Sequence, residues 1–148
     1  MCHNPNADDH PYRKAADNPP ESISFQRMIH RIHTGEELHN DFTIIGYQGS
    51  TNNYNEVTFP GDRRNCAVCH GTPRTPTYNL QASDGLLNVK TMRDYVPEVG
   101  PGTAACLGCH DGRDQAAHAY LMTAPFGEAC ASCHGANSDL SPAKVHAK

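Results

Sequence analysis

A chain of 148 residues has the length of a single domain, and its net charge of −4 at neutral pH gives no basic surface that would attract nucleic acid. No apolar run approaches the ~20 residues that a membrane-spanning helix needs, so no membrane span is predicted. Only 37% of the residues are hydrophobic and none is Trp, whereas ten are His and seven are Cys; we therefore expect a core built partly from something other than side chains, and metal ligands among the His and Cys.

The first 22 residues predict an irregular polar arm, and residues 23–148 the remainder of the same domain. Four prolines interrupt this arm, at Pro5, Pro11, Pro19 and Pro20. Met1 is followed at once by Cys2 and His3, without the basic and apolar stretches of a signal peptide. A natural polypeptide that begins further upstream is therefore one expectation.

The segment between Ser24 and Gly35 predicts a short amphipathic helix. Ser24 suits the N-cap and Gly35 suits the position just past the end. Its apolar stripe consists of Phe25, Met28, Ile29 and Ile32. His30 and His33 lie beside this stripe, about 60° apart around the axis and ~4.5 Å apart along it, so they could reach two neighbouring metal ions. The alternative for either residue is a histidine on a solvated face.

The rest of the chain predicts short elements separated by loops. Residues 43–59 hold β-branched and aromatic residues around a Gly/Ser/Asn turn and predict a loose hairpin, whereas residues 85–96 suggest a brief helix. Asp114 is expected to cap a helix that carries His118, and Ser141 with Pro142 to begin one that carries His146.

Three copies of the motif Cys-x-x-Cys-His carry the strongest chemical signal. Two cysteines at this spacing could form a disulfide or bind zinc, but neither chemistry requires a histidine as the next residue. Attachment of haem c does require it, because two thioether bonds fix the porphyrin edge and the adjacent imidazole becomes the proximal iron ligand. The repetition favours haem over zinc and over disulfides at all three copies: Cys66, Cys69 and His70; Cys106, Cys109 and His110; Cys130, Cys133 and His134.

Histidines outside the motifs could supply the second axial ligand of each iron. We expect His30, His33, His118 and His146 in this role, and solvent exposure for His10 and His39. His118 is too close in sequence to His110 to span the same macrocycle easily. We therefore expect His118 to serve the haem of Cys130 and Cys133, and His146 the haem of Cys106 and Cys109.

The remaining cysteine, Cys2, stands directly before His3 and resembles a motif that lacks its first cysteine. It could be the end of a motif from a longer chain, a site where haem is attached through a single thioether, or a free thiol with no cofactor. Four distal candidates match four possible haems, which favours a haem ligated by His3. The expected cofactor is haem c, in four copies, or three if the Cys2/His3 site is empty.

Several stretches together resemble the C-terminal haem domain of outer-membrane decahaem cytochromes of the OmcA/MtrC type: CHNP, MIHRIHTGEEL, GYQGS through TFPGDRRNCAVCH, CHDG with AAHA, and CASCHGANSDLSPAKVHAK. The resemblance covers nearly the whole chain, although three motifs and a half stand here against ten in the family. It implies bis-histidine ligation with His30, His33, His118 and His146 as distal ligands. It also implies electron transfer at the outer-membrane surface, outside the cell or in the periplasm, towards metal oxides, flavins or partner cytochromes.

The sequence thus predicts a multihaem cytochrome c fold, mainly irregular with short α-helices and little β-structure, organised around closely packed haems. An electron carrier is favoured over an enzyme. Two alternatives stay open: a haem enzyme with an open iron at His3, and a self-associating subunit of a conducting filament. The partner could also be a longer parent chain of which this domain is a part.

Overall fold

The computed structural model describes residues 2–14, 19–72, 75–76, 86–91, 93, 96–122 and 127–146. Its helices are α1 (Phe25–Thr34), α2 (Ala67–His70), α3 (Pro101–Cys106), α4 (Arg113–Leu121), α5 (Ala131–His134) and α6 (Pro142–Val145), with 3₁₀ turns at Gly35–Glu37 and Tyr47–Gly49. Its strands are β1 (Thr43–Ile45), β2 (Thr51–Asn53), β3 (Gly71–Thr72), β4 (Thr75–Pro76), β5 (Val89–Lys90) and β6 (Glu98–Val99). Short helices and few strands match the predicted class.

Helix α1 begins and ends where the sequence indicates. Ser24 is the N-cap residue, but its side chain makes no capping hydrogen bond, and Gly35 follows the last turn with φ of 52°. The amide of Glu36 donates to the carbonyl of Val57 at 3.1 Å, and a Cβ on Gly35 would overlap that same carbonyl. A glycine is therefore required here by both conformation and space.

The strands form two-stranded antiparallel pairs, β1 with β2, β3 with β4 and β5 with β6. The predicted hairpin is confirmed, with Ile44 opposite Asn52. The helix suggested for residues 85–96 is wrong where the structure describes this segment, because Val89 and Lys90 pair with Val99 and Glu98. Val89 is fully buried, so packing decides its conformation.

Among the described residues, buried apolar side chains form a small core. Val89, Val99 and Ala104 make one buried cluster with Val96 packed against it. The N-terminal arm is anchored by a buried carboxylate instead: Asp9 accepts hydrogen bonds from the amides of Glu21 (2.8 Å) and Ile45 (2.9 Å) and from Arg13 (2.9 Å). Polar contacts thus replace apolar packing between the arm and β1.

The buried face of α1 is also polar. Arg27, Arg31 and Thr34 are its buried residues, whereas Phe25, in the predicted apolar stripe, is 57% exposed. Arg31 lies 3.3 Å from the carboxylate of Asp111 and above the ring of Phe42. This face joins α1 to the segment that follows the second Cys-x-x-Cys-His motif. No helix within the described ranges is long and apolar enough to cross a membrane.

Candidate haem sites

Each Cys-x-x-Cys-His motif closes a single helical turn. The amide of the motif histidine donates to the carbonyl of the first cysteine, at 2.8 Å in the first and third motifs and 2.9 Å in the second. In the first and third motifs this turn is α2 or α5, whereas in the second α3 ends at Cys106 and the turn follows it. The closed turn brings the first cysteine and the histidine together on one side of the backbone, as attachment of one group by both requires.

No disulfide joins any two of the seven cysteines, all of which the structure describes. Burial raises the pKa of the first thiol of each motif, and the neighbouring thiolates of Cys109 and Cys69 raise that of Cys66 further. Cys106 is exposed as a whole residue, but burial of its thiol raises the pKa to about 11, and Cys130 and Glu128 are the next contributors.

The structure brings each motif histidine next to one histidine from elsewhere in the chain. The ring centres of His30 and His70 are 5.7 Å apart, those of His110 and His146 are 5.9 Å apart, and those of His118 and His134 are 6.1 Å apart. The first two pairs have nearly parallel ring planes, at 12° and 8°, and the third pair has nearly perpendicular planes, at 87°.

The distances between ring centres would suit two imidazoles that hold one metal ion between them. With a metal–nitrogen bond of about 2 Å on each side and about 1 Å from each nitrogen to its ring centre, the two centres would lie about 6 Å apart. In such a pair either angle between the ring planes would be acceptable, so the parallel and the perpendicular pairs would both be suitable. Within the described part of the chain, no group of three or more His, Cys, Asp or Glu side chains forms a metal cluster.

Hydrogen bonds orient several of the candidate rings. Nδ1 of His30 lies 2.5 Å from the carbonyl of Gln26, Nδ1 of His134 lies 2.9 Å from that of Leu140, and Nδ1 of His3 lies 2.9 Å from that of Ile23. A carbonyl oxygen only accepts, so Nδ1 carries the proton and donates in each contact, which leaves Nε2 with its lone pair for a metal. His146 differs, because its buried Nδ1 has no hydrogen-bond partner.

Burial keeps two of the distal candidates neutral. It lowers the pKa of His30, and nearby His70 and His33 lower it further despite the opposing hydrogen bond to Gln26. Burial likewise lowers the pKa of His146, with His110 as the next contributor. A neutral imidazole is the form that binds a metal.

Apolar side chains stay exposed beside the candidate ligands. Val68, two residues before His70, is 74% exposed, and Leu121, one turn after His118, is also 74% exposed. Val145, next to His146, is 53% exposed. An apolar macrocycle bound between the imidazoles could cover such surfaces, so these surroundings fit a porphyrin.

The other two predicted ligands are not brought to a second imidazole. The ring of His33 lies 5.0 Å from that of Phe59, and no ring contact between histidines involves His33 or His3 among the residues that the structure describes. His10 and His39 are exposed, as predicted. Nδ1 of His39 lies 3.3 Å from the carboxylate of Asp111.

The sequence interpretation missed two residues of the site. Asp111, directly after His110, is a buried hydrogen-bond acceptor that joins the second motif to α1 and to the segment after it. Gly108, between the cysteines of the second motif, packs against His30. Nothing in the local pattern indicates the first contact, whereas a glycine at a motif spacer position is a weak signal for the second.

A match to a family model and a match to a solved structure both concern cytochromes. A family model described as outer membrane cytochrome MtrC/MtrF-like, domains II/IV, matches residues 1–147. One similar solved structure is described as the crystal structure of the outer membrane decaheme cytochrome OmcA; it is 25% identical, with a TM-score of 0.47, over 89% of this chain and 19% of that chain. The chain therefore spans about a fifth of that structure's length. No curated protein matches the chain.

Proposed function

This chain belongs to the MtrC/MtrF-like outer membrane cytochromes, a family that carries haem c and transfers electrons, and we propose that it conducts electrons as a tetrahaem unit with bis-histidine ligation. The observation that carries the proposal is the set of three imidazole pairs, each combining a motif histidine with a distal one at 5.7–6.1 Å between ring centres. The proposed pairs are His70 with His30, His110 with His146, and His134 with His118.

The attachment residues follow from the same motifs. We assign Cys66 and Cys69, Cys106 and Cys109, and Cys130 and Cys133 as the thioether partners of three haems. When bound, haem c supplies an iron that changes between the ferrous and ferric states. The chain's own part is to hold two neutral imidazoles in place, so that no ligand leaves or enters when the electron arrives.

The proposed haem sites would lie close to one another. The second motif contacts α1, which carries His30, because the hydroxyl of Thr34 lies 3.0 Å from Sγ of Cys109 and Gly108 lies against His30. Short separation between redox centres is what electron hopping requires. The predicted close packing of the haems is therefore part of the proposal.

A fourth site is proposed at Cys2 and His3, with a single thioether, and we assign to it His33, the distal candidate that the other three pairs leave over. The hydrogen bond from Nδ1 of His3 to Ile23 supports it, because the same arrangement orients His134. The position of His33 against Phe59 gives this distal assignment less support than the other three. If the Cys2/His3 site holds no haem, the count falls to three.

The proposed setting is electron transfer at the outer-membrane surface, outside the cell or in the periplasm. Other c-type cytochromes, or further parts of a longer chain of which this is one domain, are the proposed partners, and metal oxides and flavins the proposed acceptors. A metal-reductase activity would be a consequence of such transfer rather than of a catalytic haem. Self-association into a filament stays a prediction, and a solution mass that remains monomeric at all concentrations would contradict it.

The test is a haem count combined with spin state, on protein produced with a c-type haem maturation system. We expect the denatured mass and the pyridine haemochrome assay to give four covalent haems, and the ferric protein to give only low-spin signals. The double substitution Cys66→Ala with Cys69→Ala should remove one haem, and Cys2→Ala should remove another. Protein without covalent haem would refute the proposal, whereas carbon monoxide binding to one reduced haem would favour the alternative of an open iron at His3.

A further inference from the structure

Gly108 occupies a place where only hydrogen fits. It is the second spacer residue of the motif Cys106–Cys109 and is buried. A Cβ built on it would lie 2.5 Å from Cβ of His30 and 3.0 Å from the carbonyl oxygen of Ala105. Its φ is not positive, so the reason for glycine is the close approach of α1 rather than backbone conformation.

A second contact from α1 fixes the same loop. Thr34, one turn after His30, is buried and its hydroxyl lies 3.0 Å from Sγ of Cys109 and 3.4 Å from the carbonyl of Gly108. The same hydroxyl donates to the carbonyl of His30 at 2.8 Å. His30 and Thr34 therefore hold the Gly108–Cys109 segment from one face of one helix.

The corresponding positions in the other motifs are free of such contact. Val68 in the first motif is 74% exposed, and Ser132 in the third motif is exposed. A side chain is therefore tolerated at this spacer position wherever the loop faces solvent. The second motif differs because its loop forms the surface on which α1 rests.

We infer that Gly108 is a positioning residue, which sets how closely His30 approaches the iron of the His70 site. This inference rests on the proposed haem ligation by His30 and His70. The loop between Cys106 and Cys109, which would attach one haem, would thus support His30, the distal ligand of the haem at His70. A side chain at Gly108 would push α1, and His30 with it, away from the iron of the His70 site. The haem attached at Cys106 and Cys109 would keep both of its own ligands.

The first experiment compares Gly108→Ala with the matched spacer variant Ser132→Ala. In ferric Gly108→Ala, we expect electron paramagnetic resonance to show a high-spin signal from one haem, and the reduced protein to bind carbon monoxide at one haem at least about tenfold faster than wild type. Ser132→Ala should match wild type in both measurements. A Gly108→Ala protein with wild-type spin state and carbon monoxide kinetics would overturn the inference.

A double-mutant cycle with His30→Gly separates this role from a general packing defect. His30→Gly removes both the ligand and the Cβ that Gly108 accommodates, so it should make one haem high-spin, and added imidazole should restore the low-spin state. Adding Gly108→Ala to His30→Gly should change neither the spectrum nor the imidazole affinity. A further loss in the double variant would contradict the inference, because the shorter contact, with Cβ of His30, is already gone and only the 3.0 Å contact with the carbonyl of Ala105 is left.

Two other outcomes are informative. If Gly108→Ala alone fails to accumulate, the double variant should accumulate as well as His30→Gly, and its failure to do so would overturn the inference. A wild-type preparation without covalent haem would refute the proposed function itself, which the haem count establishes before any variant is compared.

Discussion

Asp111 offers a direct test of how the second motif is held to α1. One of its carboxylate oxygens accepts from the amide of His39 at 2.8 Å, and the other from the amide of Asn40 at 2.9 Å, from the Asn40 side chain at 3.1 Å and from Arg31 at 3.3 Å. The side chains of Asp111 and Arg31 are 4% and 3% exposed, so water does not replace these contacts. The substitutions Asp111→Ala and Asp111→Asn test the contribution of these contacts to stability.

The expected loss is large because the contacts are buried and charged. Removing one member of a buried ion pair costs about 3–5 kcal/mol, and each hydrogen bond to a charged group is worth about 1.5–3 kcal/mol. Since such terms do not add in full, we expect Asp111→Ala to lower the free energy of unfolding by about 3–5 kcal/mol. Asp111→Asn should cost nearly as much, because both oxygens accept and an amide nitrogen cannot.

Guanidinium unfolding followed by far-ultraviolet circular dichroism measures this loss on the haem-loaded protein. Asp139→Ala is the matched control, because Asp139 forms an ion pair with Lys144 but its side chain is fully exposed; we expect it to leave the midpoint unchanged. A loss below about 1 kcal/mol for Asp111→Ala, or a neutral Asp111→Asn, would refute the argument that this carboxylate fastens the two segments.

Three further predictions concern ligands, glycines and acid. His118→Ala or His146→Ala should make one ferric haem high-spin and leave the others low-spin by electron paramagnetic resonance, because each faces a different motif histidine; an unaltered spectrum would exclude that residue as a ligand. Gly35→Ala should lower the free energy of unfolding by about 2 kcal/mol or more, because the positive φ and a clash with the backbone of Val57 act together. Gly49→Ala should lower it by about 1–2 kcal/mol, because Gly49 has a positive φ but open space around it. Equal losses in denaturant titrations would contradict this ranking. Burial opposes ionisation of Asp9, but hydrogen bonds from a guanidinium and two backbone amides outweigh burial and lower the pKa of the carboxyl. The contribution of Asp9 to the free energy of unfolding is therefore complete above about pH 4 and is lost as the pH falls through the lower pKa of the folded state. Asp9→Asn should flatten the fall in stability below about pH 4, and an unchanged pH profile would contradict this role.

Local chemistry made part of the fold predictable. The bounds of α1 followed from Ser24 and Gly35, the hairpin from its β-branched residues and turn, and the start of α6 from Ser141 and Pro142. The N-cap of α4 was predicted at Asp114 but is Gly112, because both residues suit that end and the sequence does not rank them. Short elements depend on such single choices.

Contacts between distant segments were harder to predict. The segment at Val89 was predicted as a helix and is a strand, because pairing with Val99 and full burial override a weak local preference. The apolar stripe predicted for α1 did not indicate its buried face, which consists of Arg27, Arg31 and Thr34. The structure does place His118 beside His134 and His146 beside His110, as the expected pairing requires, but iron ligation by any of these rings stays a prediction.

The order of the histidine pairs along the chain has a kinetic consequence. Sixteen residues separate His118 from His134, and this interval lies wholly inside the one of 36 residues that separates His110 from His146. Because the entropic cost of closing a loop grows with the logarithm of its length, closing the inner interval costs about 0.7 kcal/mol less free energy than closing the outer one. Refolding should therefore bring His118 and His134 together first, and His146, at the end of α6, to His110 afterwards.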